Sequence, residues 1–170
     1  PCTVQVHSNS ANKGLRAQIR DGLTNFFRQF EYGLIIEDDI CVDKNAVNYI
    51  NQVTEHIDSL SIAAASLNNF IFPEKSDLST GLRNSRKPYQ SHFFHCWGWV
   101  TSRKGWGIYN DQIEFKCDEH YFERVSKHFS GFSRPVDLWR NYVLQLRHGL
   151  QSWACRYQLS LWDAGQYCLV

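Results

Sequence analysis

The stretch Leu34-Ile35-Ile36-Glu37-Asp38-Asp39 sets the tightest limit on what this chain can fold into. Its apolar run is too short for a buried helix and predicts a strand over 32–36, covered on both faces. Three consecutive carboxylates then end it. Bare acids repel one another and are costly to desolvate, so the strand must run out at an edge of the fold or meet positive charge. Hard oxygen ligands gathered in one place suit Mg²⁺ or Mn²⁺, which keeps waters and takes substrate phosphates. Along a strand alternate residues share a face, so Glu37 and Asp39 point one way and Asp38 the other. One acid can reach a metal while another orients a nucleotide ribose or a metal-bound water. The plainer alternative is a solvated turn whose acids cap the next helix, a position that Asp43 already fills.

The flanking patterns place this segment in an α/β chain. Residues 4–7 read as the end of a short strand. Residues 12–30 read as a helix with Leu15, Ile19, Leu23, Phe26, Phe27 and Phe30 on one face. A second helix after Asp43 carries Val47, Ile50, Val53 and Ile57, and 60–67 is another apolar run. Strand–helix–strand–helix–strand order favours a mostly parallel sheet, with the carboxyl ends of its strands, and any ligand, at one edge. The pattern breaks over 68–90, a long loop of the kind that often serves as a lid. Residues 92–102 turn strand-like and aromatic. Helices are expected over 118–129, 136–150 and 152–162, the middle one with Trp139, Tyr142, Val143, Leu146 and Leu150 on a face. Gly165 ends the last helix before a final strand.

A length of 170 residues fits one domain over 1–170. With 18 basic and 17 acidic side chains the net charge is +1, which argues against a nucleic-acid binder that works by bulk charge. No apolar run approaches the roughly 20 residues that span a bilayer. The six cysteines form no CxxC pair and read as free, buried thiols of a reducing compartment. The absence of Met, with a final strand-like run at 167–170, leads us to expect a fragment truncated at both ends.

Two further segments carry chemistry. Asn12-Lys13-Gly14-Leu15 stands at a loop-to-helix junction, where a helix N-terminus favours an anion, and Arg16 and Arg20 can add positive charge. Asn-x-Gly is more often an ordinary turn and cap. His92-Phe93-Phe94-His95-Cys96-Trp97-Gly98-Trp99-Val100-Thr101 is the other. Aromatic faces stack on sugar rings or bases, and Gly98 permits close approach. If it is instead a plain core strand, Trp97 and Trp99 share one face and simply pack. His92, His95 and Cys96 lack the second cluster that a zinc site needs. Asp118 and Glu119 stand near a helix start, where dipole stabilisation is the simplest role, and Asp137 after Pro135 reads as a cap. Walker, GxGxxG and GxSxG motifs are absent.

In order, Asn-x-Gly-Leu, Ile-Ile-Glu-Asp-Asp and Phe-Phe-x-x-Trp-Gly-Trp-x-Thr resemble the GT-A-fold nucleotide-diphospho-sugar transferases. The chain is most similar to the bacterial hemolysin-like HlpA-type group and more distantly to the N-acetylglucosaminyltransferase I type. Ser152-Trp153-Ala154-Cys155-Arg156-Tyr157-Gln158 resembles the tail of that bacterial group. The resemblance implies a UDP- or GDP-sugar donor and a Mn²⁺ or Mg²⁺ cofactor. It further implies a glycan, lipid or protein acceptor and a role in cell-surface polysaccharide synthesis. The implied place is cytoplasmic, peripheral at the inner membrane. Asp39 then corresponds to the metal ligand, Glu37, Asp38, Asn12, Gly14 and Arg20 to the donor side, and Trp97, Gly98 and Trp99 to the sugar and acceptor side. The family's first strand would precede Pro1, and a metal-side His would follow Val170. Where relatives carry an acid beside the Ser/Thr-Trp pair, Gln151 and Ala154 stand here, which leaves Asp118, Glu119 and Asp137 as candidate bases.

Three functions follow as expectations. One is metal-dependent glycosyl transfer, inverting as in the most similar relatives. The second is a non-catalytic nucleotide-sugar or carbohydrate-binding module of the same fold. The third is a metal-dependent phosphohydrolase, which gives the Trp-Gly-Trp segment no role.

Overall fold

The computed structural model of the chain describes residues 3–55, 57, 61–68, 89–129 and 133–170. Helix α1, Leu15–Gln29, forms where Ile19, Leu23, Phe26 and Phe27 recur at helical spacing. Strand β1 follows at Tyr32–Ile35, helix α2 at Ala46–Thr54 and strand β2 at Ile62–Ser66. Beyond the expected loop, whose residues 69–88 lie outside the described residues, come β3, Gln90–Ser91, and β4, Trp99–Ser102. The chain continues through α3, Arg103–Gly107, and α4, Glu119–Ser126. It ends with α5, Ser133–Arg147, α6, Trp153–Asp163, and β5, Tyr167–Leu169.

The described residues form a mixed α/β fold around a five-stranded sheet of order β1-β4-β2-β5-β3. The expectation of a mostly parallel sheet is corrected: only β2 and β5 pair in parallel, and the other pairs are antiparallel. β1 and β2 do run in the same direction, as a crossover through α2 requires. β4, arriving after the long connection, inserts between them and runs the opposite way. The carboxyl ends of β1, β2 and β5 therefore share one edge with the start of β4.

Three further expectations change. Residues 4–7 are irregular rather than a strand, with Val4 and Val6 exposed. β1 is the terminal strand of the sheet and alternates, with Gly33 buried on one face and Tyr32 and Leu34 exposed on the other, where burial on both faces was expected. The aromatic segment is a strand only over Trp99–Ser102, and 92–98 is irregular.

The sheet is covered on both faces. On one, Val53 and Ile57 pack on Ile62, Ala65 and Val100. On the other, Trp99 meets Phe27, Trp106, Trp153 and Tyr157. Helix α6 is the central element, buried from Arg156 through Trp162. Its Trp153, Tyr157 and Leu161 face the sheet, while Leu159 and Trp162 pack against Tyr121, Phe122 and Val143 of the helical half. Its buried polar side chains are paired, as burial demands. Arg156 bonds Glu114 at 2.6 Å, and Ser160 accepts from the Asn110 N–H at 3.0 Å. Cys41, Cys96, Cys117, Cys155 and Cys168 are free, with Cys41 exposed rather than buried.

Candidate functional site

The acidic segment leaves β1 as a turn, not as strand. The Ile40 N–H donates to the Glu37 carbonyl at 3.1 Å, so the strand alternation expected of Glu37, Asp38 and Asp39 does not apply. Asp38 and Asp39 are exposed and hydrated, which relieves most of the repulsion that clustering would impose. Glu37 is half-buried. Burial, and then the charge of Glu37, push the Cys96 thiol upward. Asp43 accepts from the Asn45 N–H at 2.7 Å, and Asn45 holds the N-cap position of α2 that Asp43 was expected to take.

Gly98 reorganises the aromatic segment. Its φ of 72° breaks the strand alternation, so Trp97 and Trp99 do not share a face. Trp97 is 47% exposed, whereas Trp99 is 0% exposed and stacks on Trp153 at 5.9 Å between ring centroids. Trp99 is thus a core residue, not a ligand-facing one. Gly98 packs between Ile40 of the acidic turn and Leu67, and its carbonyl accepts the Leu67 N–H at 2.9 Å. The preceding stretch is held by Gln158 of α6. Its amide donates to the His92 carbonyl at 2.9 Å and accepts from the Phe94 N–H at 2.6 Å. Ser66 adds a bond to the His95 carbonyl at 3.0 Å.

These contacts bring two motifs, far apart in sequence, to one cavity. A space of about 520 Å³ at the shared strand edge is lined by Asp39, Asp43, Tyr49, Leu67, Asn68 and Trp97, among others. Tyr49 and Asn68 were not singled out from sequence. Tyr49 lies four residues before Val53 and eight before Ile57, and this stripe, not the one through exposed Val47, faces the core. Asn68 is the first polar residue past a buried strand at its carboxyl end, where ligands of open α/β sheets bind.

The other expected residues fall elsewhere. Asn12 accepts from the Gly14 N–H at 2.8 Å, and Gly14, φ 76°, starts α1 as an ordinary turn and cap. Arg20 pairs with Asp21 at 2.8 Å and with Asp111 at 2.9 Å, and Arg16 also holds Asp111 at 2.8 Å. Burial would raise the Asp111 carboxyl, but hydrogen bonds from Arg16, Tyr109 and Arg20 outweigh it and hold it at about 2. Arg20 lines a second, larger cavity of about 750 Å³ between the N-terminal segment, α1 and β1. The chain leaves that cavity at Ile36 and reaches the smaller one at Asp39.

None of the three candidate bases lines either cavity. Asp118 caps α4, accepting from the Tyr121 N–H at 2.8 Å. Glu119 is paired with Arg140, which holds its carboxyl low. Asp137 lies inside α5, which begins at Ser133, and is not the expected cap. Gln151 is also engaged, accepting from Arg16 at 2.9 Å.

Among the described residues no group of three or more His, Cys, Asp or Glu side chains could hold a metal ion. The cavity offers the carboxylates of Asp39 and Asp43. Mg²⁺ commonly binds through one or two carboxylates plus substrate phosphates. Among the described residues no helix is long and apolar enough to cross a membrane. Compared with family models, curated proteins and solved structures, the chain matches none.

Proposed function

We propose that this chain carries a nucleotide-diphospho-sugar site of the glycosyltransferase kind, opening at the shared edge of β1, β2 and β4. One observation carries the reading: Asp39 and Trp97 line the same cavity. An exposed indole beside a carboxylate is the pairing that a sugar diphosphate needs, a flat apolar face for the ring and a cation ligand for the phosphates. Asp39 would hold Mn²⁺ or Mg²⁺ together with diphosphate oxygens. The cation supplies charge neutralisation for the departing nucleotide. Trp97 would orient the sugar. An acceptor hydroxyl would attack the anomeric carbon as the bond from that carbon to the diphosphate oxygen breaks, its proton passing to a base within hydrogen-bond reach.

A second reading, a nucleotide-sugar-binding module without turnover, is favoured by a specific observation. Asp118 and Glu119 are committed to a cap and an ion pair, and Asp137 lines neither cavity.

Calorimetric titration of UDP- and GDP-sugars, with and without Mn²⁺, tests both. Metal-dependent binding is expected in the wild type and is lost in Asp39→Ala, which keeps its fold because Asp39 is an exposed turn residue. Mn²⁺ alone should not bind measurably. Undiminished metal-dependent affinity in Asp39→Ala would sink the assignment. Slow release of free sugar from the donor marks a transferase, and binding without any release marks the module.

A further inference from the structure

The ladder between β1 and β4 leaves one side of β1 open. The Arg103 N–H donates to the Glu31 carbonyl at 2.7 Å, and the register pairs Gly33 with Thr101 and Ile35 with Trp99. Antiparallel pairs alternate between bonded and non-bonded, so Glu31, Gly33 and Ile35 turn their backbone groups to β4. Leu34, out of phase with them, turns its N–H and carbonyl the other way. Among the described residues no strand lies beyond it, because β1 ends the sheet. An open edge is usually blunted by proline, lysine or a bulge, and β1, Tyr-Gly-Leu-Ile in unbroken register, has none of these.

This edge opens into the 750 Å³ cavity, whose apolar lining includes Leu23, Phe26, Phe30 and Leu34. Three cations, Lys13, Arg20 and Arg28, line it against one acid, Asp21. Arg20 is taken by Asp21 and Asp111, and Lys13 approaches Asp21 at 3.8 Å. Arg28 is exposed and has no acid: among the described residues its hydrogen bond goes to the Asn25 side-chain oxygen at 3.1 Å.

An outward backbone donor and acceptor, an apolar lining and an unmatched cation are together what an added peptide strand uses. Its main chain pairs with the edge, and its alternate side chains select the sequence. A lipid would leave the Leu34 backbone groups unpaired, and a phosphate would meet the Leu34 carbonyl as well as Arg28. A second copy of the chain would bring the same excess of cations to the contact. The chain's own residues 3–8, Thr-Val-Gln-Val-His-Ser, carry no acid to offer Arg28.

We propose that the outer edge of β1 takes an extended segment of a partner protein as a sixth strand, apolar at its centre and carrying a carboxylate that pairs with Arg28. The site is separate from the cavity of Asp39 and Trp97 and does not depend on the reading given to it.

The test titrates the full chain with two synthetic peptides, acetyl-Asp-Ile-Thr-Val-Thr-Val-Asp-amide and the same sequence with Lys at both ends. The acidic peptide is expected to bind about tenfold more tightly than the basic one and to slow amide exchange at Leu34. Arg28→Glu should reverse the preference. Leu34→Pro removes only an outward N–H, so the ladder to β4 stays and binding falls about tenfold or more. Should Leu34→Pro not fold, N-methylation of the central Val of the peptide removes a pairing N–H from the other side. The inference is overturned by failure of both peptides to bind, by equal affinity for the two, or by undiminished binding in folded Leu34→Pro. Slow exchange at Leu34 without peptide also overturns it. In a monomer that result gives the edge to the chain's own N-terminal segment, and in a dimer it gives the edge to a second copy.

Discussion

The backbone N–H of Leu67 donates to the carbonyl of Gly98 at 2.9 Å, one step past the last paired residues of β2 and β4. Gly98 makes this bond with φ at 72°, a region that costs a residue with a Cβ about 1–2 kcal/mol. A Cβ there would meet Leu67 at 3.4 Å and Ile40 at 3.6 Å, which is ordinary contact. The penalty of Gly98→Ala is therefore conformational. We expect a loss of about 1–2 kcal/mol in urea unfolding, with weaker ligand quenching of Trp97 fluorescence. Unchanged stability would show that the turn relaxes to negative φ.

The two tryptophans of the Trp-Gly-Trp segment should behave oppositely. Trp99 is fully buried, with Phe94 at 4.9 Å and Tyr157 at 5.5 Å between ring centroids. Its truncation to Ala is expected to cost about 3–5 kcal/mol. Trp97→Ala should cost about 0.5 kcal/mol or less, as half-exposed positions usually do, yet abolish sugar-nucleotide binding. Thermal melts paired with calorimetry separate the two effects. A strongly destabilised Trp97→Ala would reassign that ring to the core.

Gln158 holds the irregular stretch before Trp97 from within a buried helix, with bonds to His92 and Phe94. Gln158→Leu leaves the Phe94 N–H without its acceptor, at a cost of about 1–3 kcal/mol, while the His92 carbonyl keeps its bond from the Trp162 indole N–H at 2.6 Å. Amide hydrogen exchange should then rise over 92–98 more than over α1. Uniform change across the chain would mean that the clamp acts only on global stability.

The Asp111 carboxyl is held at about 2, below an ordinary aspartate at roughly 3.9. A depressed acid stabilises the fold fully above its unfolded value and gives that contribution up as pH falls through its folded value. Melting temperature should therefore drop from about pH 4 toward pH 2, where Arg16 and Arg20 lose their partner. Asp111→Asn should lower stability at pH 7 by about 2 kcal/mol and flatten the profile across that acid window. A wild-type slope in the variant would place the acid sensitivity on other carboxylates.

Much of the element order was legible because long apolar stripes are robust. The faces through Leu23 and Phe26, and through Val143 and Leu146, lie where helical spacing puts them. The strand β1 was legible as a strand but not as an edge, since an apolar run does not reveal whether a neighbour lies on both sides. The direction of β4 was hidden for a related reason. A crossover rule fixes how β2 follows β1, but not that a later strand inserts between them. At the site, Asp39 and Trp97 were legible from residue chemistry. Trp99 was misread because one positive φ at Gly98 reverses which face follows. Tyr49 and Asn68 have no motif, and only the tertiary fold places them at the cavity.

Because β4 separates β1 from β2, the acidic turn and the Leu67–Asn68 wall share no hydrogen-bonded neighbour until residues 99–102 are in place. A nascent chain that has emerged from the ribosome only as far as Asn68 holds the acidic turn and the Leu67–Asn68 wall without the strand that pairs with both. Assembly of the pocket is thus deferred until β4 has emerged. Its geometry is also hostage to one four-residue strand, whose loss would part the two walls while leaving each locally intact.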